Sequence, residues 1–89
     1  MTSSPDPMQT VKEPQRLDLK GLKCPLPALK TRKMLLGMTN GSEIEVICTD
    51  PMARIDIPHL VNTLGDRLVS QHEDGDNLIF RIERLSATM

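Results

Sequence analysis

The stretch Glu43-Ile44-Glu45-Val46-Ile47-Cys48-Thr49, EIEVICT, decides the fold because its apolar and charged side chains alternate. Ile44, Val46 and Cys48 fall on one side of an extended chain, and the two glutamates fall on the other. A period of two is typical of a strand with one buried face and one solvated face. The stretch therefore predicts a strand in a sheet that is covered on one side.

Upstream of this strand, residues 27–38 are rich in Ala, Leu, Lys, Arg and Met, and prolines stand at the front. This composition favours a helix, and proline is common in a first helical turn. The predicted inner face of this first helix holds Ala28, Thr31, Leu35 and Met38. We expect Asn40-Gly41 to end the helix. A shorter alternation at Leu17 and Leu19 predicts a first strand that ends at Gly21.

Downstream, four apolar residues recur at helical spacing and predict a second amphipathic helix that ends near Gly65. They are Ile57, Leu60, Val61 and Leu64. Because proline disrupts a helix interior, we expect Pro58 in the first turn, with Asp56 as the N-terminal cap.

The last third reads as a hairpin, with strands over 67–73 and 77–84 joined at Asp74-Gly75. Its predicted buried residues are Leu78, Phe80 and Ile82. The element order is β-α-β-α-β-β, which predicts an α+β two-layer sandwich: a four-stranded mixed sheet with two helices on one face. If the first two strands are parallel neighbours, their helical connection is a right-handed crossover.

The 89 residues allow one small domain, and we assign 16–85 to it, with a flexible tail at 1–15 and a short tail at 86–89. Eleven basic and twelve acidic residues give a net charge of −1, and Phe80 is the single aromatic residue. This composition argues against direct nucleic-acid binding. No signal peptide, membrane insertion or anchor is expected, and two cysteines without an export signal favour the cytoplasm.

The stretch GLKCPLP, residues 21–27, places Cys24 between Lys23 and two prolines. Proline disfavours helical geometry in the residue before it, so we expect the thiol at the start of the first helix. The helix N-terminus and the nearby Lys23 are expected to lower the pKa of Cys24. The shift should be modest because Pro25 and Pro27 have no N–H to donate, but their fixed φ angles should hold the sulfur outward.

Several kinds of thiol chemistry do not fit Cys24. No second cysteine follows at the spacing of a disulfide oxidoreductase, and the chain is short for a cysteine protease. Cys24, Cys48, His59 and His72 lack the paired short spacing of a zinc site, so we expect neither metal nor cofactor. What remains is an exposed thiol that carries a group, and sulfur held as a persulfide fits it.

Other residues carry weaker signals. We expect Cys48 in the core, His59 and His72 on the surface, and Leu29 and Leu36 at the core edge. If those leucines are instead exposed, they favour an alternative, a non-catalytic regulatory or adaptor module. A second alternative is a thiol redox regulator that pairs Cys24 with Cys48. The basic residues near the first helix, Lys20, Lys23, Lys30, Arg32 and Lys33, fit either a solvated face or a contact with an acidic partner.

The segment Leu17–Pro27 resembles the L-D-x-x-G-L-x-C-P-x-P signature of the TusA/SirA family of sulfur-carrier proteins. The resemblance extends over 16–84 and includes Arg32-Lys33, Asp50-Pro51 and Asp56-Ile57-Pro58. It implies the same β-α-β-α-β-β sandwich. One departure is Ile55, which stands where many relatives have a basic residue, while Arg54 lies one position earlier.

The resemblance also implies a role for Cys24. This residue would accept sulfane sulfur as a persulfide from a cysteine desulfurase or rhodanese-like donor and pass it to an acceptor protein. Lys23, Pro25 and Pro27 would support it, and the partners would supply the catalytic machinery. Known destinations in the family include tRNA thiolation, sulfur oxidation and thiosulfate use. The motif does not select among them, and it sets no oligomeric state.

Overall fold

The computed structural model describes residues 15–85, so the predicted tail at 86–89 and residues 1–14 of the predicted tail at 1–15 lie outside the described residues. Gln15, assigned to the tail from sequence, instead begins the first strand, where it pairs with Ile44. The elements are β1 (Gln15–Leu19), α1 (Leu26–Leu36), β2 (Glu43–Cys48), α2 (Ala53–Leu64), β3 (Arg67–Asp74) and β4 (Asn77–Glu83). This order confirms the predicted fold class.

The four strands form one mixed sheet in the order β1-β2-β4-β3. β1 runs parallel to β2, and β4 runs antiparallel to both of its neighbours. The parallel register pairs Leu17 with Val46 and Leu19 with Cys48, which puts the apolar residues of both strands on the same side. The alternation seen in the sequence therefore sets the buried face of the sheet.

Both helices pack on that face and share one core with the sheet. The buried apolar residues are Leu19, Leu35, Met38, Ile44, Val46, Cys48, Ala53, Ile57, Val61, Leu78, Phe80 and Ile82. Burial of a large apolar side chain contributes about 1.5–3 kcal/mol, so this cluster supplies most of the driving force for folding. Cys48 has no exposed surface, which confirms its predicted place in the core.

The opposite face of the sheet, called the open face below, carries ion pairs between neighbouring strands. Arg16 contacts Glu45 at 3.1 Å, Arg81 contacts Glu43 at 2.8 Å, and Arg67 contacts Glu83 at 3.6 Å. Exposed pairs of this kind each contribute only about 0–1 kcal/mol. Their main effect is to cover the sheet with paired charge.

The first helix ends earlier than the sequence suggested. It stops at Leu36, and the N–H of Gly37 donates to the carbonyl of Met34 at 3.1 Å. Glycine is a poor helix former, so the chain leaves the helix here and not at Asn40-Gly41. Met38 lies in the core, as predicted, but it follows the helix and is not part of it.

The second helix begins earlier than predicted, at Ala53. Two hydrogen bonds to Asp50 explain this start: its carboxylate accepts the N–H of Met52 at 3.1 Å, and its carbonyl accepts the N–H of Ala53 at 2.9 Å. The prediction that Asp56 caps this helix is therefore wrong, and Pro58 lies inside it. Gly65 ends the helix in the left-handed conformation, with φ of 78°, as expected.

No helix within residues 15–85 has the length and apolar content that a membrane span requires. The hairpin that follows α2 turns at Gly75, where φ is 64°.

A buried hydroxyl in α1 provides a test of this packing. Thr31 is completely buried, and its Oγ1 has no hydrogen-bond partner among residues 15–85. Thr31→Val keeps the side-chain shape and removes the unsatisfied polar atom. We expect the free energy of unfolding to rise by about 1 kcal/mol in urea denaturation. Thr39→Val is the control, because its exposed hydroxyl is bonded to Ser42 at 2.7 Å. A loss of stability in Thr31→Val would show that the packing around α1 is not as described.

Candidate functional site

Cys24 lies in the loop between β1 and α1, directly before Pro25, which is the N-terminal cap of the helix. The Cys24–Pro25 peptide bond is cis, and the cysteine is exposed. Leu26 donates its N–H to the carbonyl of Lys23 at 2.8 Å, and Leu29 donates to the carbonyl of Pro25 at 3.1 Å. The prediction of an exposed thiol at the start of the first helix is confirmed.

Two hydrogen bonds fasten this loop to the segment that follows β2. The N–H of Gly21 donates to Thr49 Oγ1 at 2.9 Å, and the N–H of Cys24 donates to the carboxylate of Asp50. Gly21 has φ of 85°, a conformation that favours glycine. Since Asp50 also accepts the N–H of Met52, one carboxylate holds both the cysteine backbone and the start of α2.

This arrangement brings a second carboxylate to the sulfur. Cys24 Sγ donates a hydrogen bond to Asp56 Oδ2 over 3.2 Å. Asp56 lies in the first turn of α2, which faces the loop because Asp50 links the two. A carboxylate beside a thiol favours the protonated, neutral form of the sulfur.

The electrostatics of Cys24 are therefore opposite to those predicted from the sequence. The hydrogen bond to Asp56 raises the pKa of Cys24, and desolvation of the sulfur and the negative charges of Asp56 and Asp50 raise it further. The expected stabilisation by helix donors is not seen at Leu26, whose N–H goes to Lys23. The unperturbed pKa of a cysteine thiol is already above neutral pH, so the Cys24 thiol is protonated at neutral pH.

The positive charge of Lys23 acts on Asp50. The N–H groups of Met52 and Cys24 lower the pKa of Asp50, and the charge of Lys23 lowers it further. Asp50 is thus firmly ionised at neutral pH. Of the two prolines, Pro25 is exposed and Pro27 is buried. The supporting roles of Lys23, Pro25 and Pro27 at the thiol stay predictions.

The second cysteine has a different environment. Burial in the core, and to a lesser extent the charge of Asp50, raises the pKa of Cys48 to about 11. Both cysteines are free thiols. The redox alternative needs a second thiol that can react, and Cys48 is neither accessible nor ionised at neutral pH.

The outer surface of α1 is apolar and basic, and the leucines on it are exposed. Leu26, Leu29 and Leu36 are 42%, 54% and 48% exposed, so the prediction that Leu29 and Leu36 lie at the core edge is wrong. The helical spacing places Lys30, Arg32 and Lys33 on the same side. We call this surface the basic-apolar face; its members are Leu26, Leu29, Lys30, Arg32, Lys33 and Leu36.

The charges on this face are unbalanced. Helix α1 contains no acidic residue, and within residues 15–85 none of Lys30, Arg32 and Lys33 forms an ion pair. Two further exposed apolar residues, Met52 and Ile55, lie at the start of α2, the helix that supplies Asp56. A surface with apolar side chains and unpaired charge of one sign is typical of a contact site.

The remaining candidates lie away from the thiol or match expectation. His59 and His72 are exposed, as predicted. In the part of the chain that the structure describes, no group of three His, Cys, Asp or Glu residues could hold a metal ion.

An open groove of about 520 Å³ runs between β1 and the end of α1, and its lining includes Leu17, Met34 and Met38. None of its lining residues belongs to the loop that holds Cys24.

Sequence reasoning missed the role of the two carboxylates. The sequence singles out Asp50 only as part of the Asp50-Pro51 pair, and Asp56 as an expected helix cap. Both belong to segments that resemble the sulfur-carrier signature, Asp50-Pro51 and Asp56-Ile57-Pro58, and that resemblance was the available signal. Met52 has no such signal, and Ile55 stands out only as the departure from the basic residue of many relatives.

Asp56→Asn tests the electrostatics of the thiol. Removing the carboxylate removes the acceptor and the charge that favour the protonated sulfur, so the pKa of Cys24 should fall. The pH profile of alkylation of Cys24 by iodoacetamide should then shift to lower pH, with faster alkylation near neutrality. Asp18→Asn is a matched control on the open face. An unchanged profile in Asp56→Asn would rule out this account of the thiol.

Comparisons with known proteins identify the family of this chain. A family model described as "Sulfurtransferase TusA" matches residues 15–84. The chain is 37% identical over 70 residues to the "Sulfur carrier protein TusA" of Allochromatium vinosum, which covers 79% of this chain and 92% of the relative. Proteins of the same name from Pseudomonas putida and Pseudomonas entomophila are 37% and 35% identical over 68 residues, each covering 76% of this chain and 85% of the relative. The chain therefore belongs to the TusA family and is a sulfur carrier.

Proposed function

We propose that Cys24 accepts sulfane sulfur from a donor protein as a persulfide and delivers it to an acceptor protein. The observation that carries this proposal is the position of Cys24: it is the exposed one of two free cysteines in a loop tied down by backbone hydrogen bonds. A fixed, accessible thiol can enter the active site of another protein with little further loss of entropy.

Loading is an exchange of one sulfur atom between two thiols. The sulfur of Cys24 attacks the outer sulfur of the donor persulfide, and a new S–S bond forms as the donor S–S bond breaks. The donor cysteine leaves with the electron pair as a thiolate, which takes up the proton that Cys24 gives away. Delivery is the same exchange in reverse with the acceptor, so neither step needs an oxidant or a reductant.

The carrier depends on its partners for activation. The groups that contact the Cys24 thiol and its backbone are carboxylates, which favour the neutral thiol over the nucleophilic thiolate. The partner must therefore help to remove the proton, in keeping with a sulfurtransferase-type carrier without its own catalytic machinery. A cysteine desulfurase or a rhodanese-like protein fits as the donor. The exposed free thiol fits a reducing compartment such as the cytoplasm.

The basic-apolar face is the proposed docking surface for the donor. It begins next to Cys24, at Leu26, and runs the length of α1. Exposed leucines at the centre and unpaired cations around them fit a partner that presents apolar residues within an acidic rim. Acceptors that contribute to tRNA thiolation, sulfur oxidation or thiosulfate use can meet the same face.

A second candidate function uses this face without the thiol. The exposure of Leu29 and Leu36 favours a regulatory or adaptor module that binds a partner and transfers nothing. The two functions differ in their need for sulfur chemistry: an adaptor keeps its function in Cys24→Ser, and a carrier loses it.

Sulfur loading is tested by intact-mass spectrometry after incubation with a persulfide-loaded donor. The unaltered chain should gain the mass of one sulfur atom, and the gain should disappear on treatment with a thiol reductant. Cys24→Ala should gain nothing, while Cys48→Ala should still load, because Cys48 is buried away from the donor. If Cys24→Ala also gained sulfur, the assignment of Cys24 as the sulfur-carrying residue would be wrong.

The docking surface is tested by two matched neutralisations, Arg32→Gln on the basic-apolar face and Arg16→Gln on the open face. Loss of one cation at an interface rim mainly slows association. We expect the second-order rate constant of sulfur transfer from the donor to fall about fivefold at low salt for Arg32→Gln, equivalent to ~1 kcal/mol. Arg16→Gln should stay near the unaltered rate. Equal effects of the two variants would indicate bulk charge and not a defined surface.

A further inference from the structure

The contact between Cys24 and Asp56 depends on whether the carrier is loaded. In the structure, Sγ carries a hydrogen and donates it to Asp56 Oδ2 over 3.2 Å. In a persulfide, the same Sγ is bonded to a second sulfur and has no hydrogen to donate. When the persulfide is ionised, its outer sulfur has no hydrogen either, and loading then replaces a hydrogen bond by the close approach of electron-rich atoms.

We propose that Asp56 biases the carrier toward releasing its sulfur, because its carboxylate stabilises the unloaded thiol and destabilises the persulfide. This inference rests on the proposed loading of Cys24 and concerns the equilibrium of that step. Asp56 acts in it as a positioning and tuning residue, through its contact with the reacting sulfur.

The charges around the sulfur add to this bias. A persulfide is a stronger acid than the corresponding thiol, so the loaded group carries negative charge at a lower pH. The charged groups around it are Asp56 from α2, Asp50 from the segment between β2 and α2, and Lys23 from its own loop. Asp50 is balanced by two backbone N–H groups and by Lys23. Among residues 15–85, the carboxylate of Asp56 has one hydrogen-bond donor, the thiol itself.

The relevant equilibrium is an exchange with a small persulfide. Cys24–SH and R–S–SH form Cys24–S–SH and R–SH, so one S–S bond breaks, one forms and the number of hydrogens is unchanged. We call the equilibrium constant of this exchange the loading constant. A carrier with a small loading constant gives sulfur away readily. The amide of Asp56→Asn is neutral and its NH₂ group can donate to the persulfide, so the loading constant should rise roughly threefold to tenfold.

The experiment equilibrates the full chain with glutathione persulfide and glutathione at fixed ratios and measures the loaded fraction by intact mass. The unaltered chain is compared with Asp56→Asn and Asp18→Asn. The Asp18 variant removes the same charge from the open face and keeps the oxygen that accepts the N–H of Lys20 at 3.0 Å. Asp56→Ser is a second neutral variant, which keeps the test valid if Asp56→Asn alone has a folding defect. Circular dichroism verifies that each variant is folded.

The expected result is a larger loading constant for Asp56→Asn and Asp56→Ser, with Asp18→Asn unchanged. The ratio of the loading constant of Asp56→Asn to that of the unaltered chain should shrink as the pH is lowered, because the persulfide becomes neutral and its outer S–H can again donate a hydrogen bond. A purely structural role of Asp56 would not produce that pH dependence. Equal loading by the unaltered chain and Asp56→Asn, or an equal rise in Asp18→Asn, would overturn the inference alone. If neither the unaltered chain nor any variant gains sulfur here, the inference fails, whereas the proposed function fails only if a persulfide-loaded donor protein also leaves Cys24 unmodified.

Discussion

The carboxylate of Asp50 is the contact on which the site depends. It accepts the N–H of Cys24 on one side and the N–H of Met52 on the other, and so joins two segments that are distant in sequence. Because the second bond fixes where α2 begins, Asp56 comes to lie within reach of the sulfur. Asp50 thus determines the position of the thiol, although its carboxylate forms no hydrogen bond with the sulfur.

Much of the fold follows from local sequence patterns. The alternation in Glu43–Cys48 correctly predicts which face of β2 is buried, and the turn residues correctly divide the chain into six elements. Prediction fails where a distant contact outweighs a local preference. Asp56 before Pro58 is a good local cap, yet the hydrogen bonds of Asp50 start the helix earlier. Helical periodicity also cannot tell an inward leucine at a face boundary from an exposed one, as Leu29 and Leu36 show.

The same limit explains the inverted electrostatics of Cys24. A helix start and an adjacent lysine are real local reasons to expect a reactive thiolate. The carboxylates that raise the pKa of Cys24 instead come from a different part of the chain and are brought in by the parallel pairing of β1 and β2. An exposed thiol that remains protonated is slow to react with oxidants and other electrophiles in solution. For a sulfur carrier this is useful, since its cysteine must stay intact between partners.

The paired charges on the open face of the sheet have a consequence for the order of events in the relay. Arg16, Arg67 and Arg81 each already have a glutamate partner, so that side offers little to a second protein. Cys24 and the basic-apolar face lie on the helical side. If donor and acceptor both dock on the basic-apolar face, as proposed, they occupy the carrier in turn, as in a ping-pong reaction, and do not hand sulfur across a three-protein complex. An excess of free donor would hold the carrier back from its acceptor, so the flow of sulfur would be greatest when the two partners are present in balance.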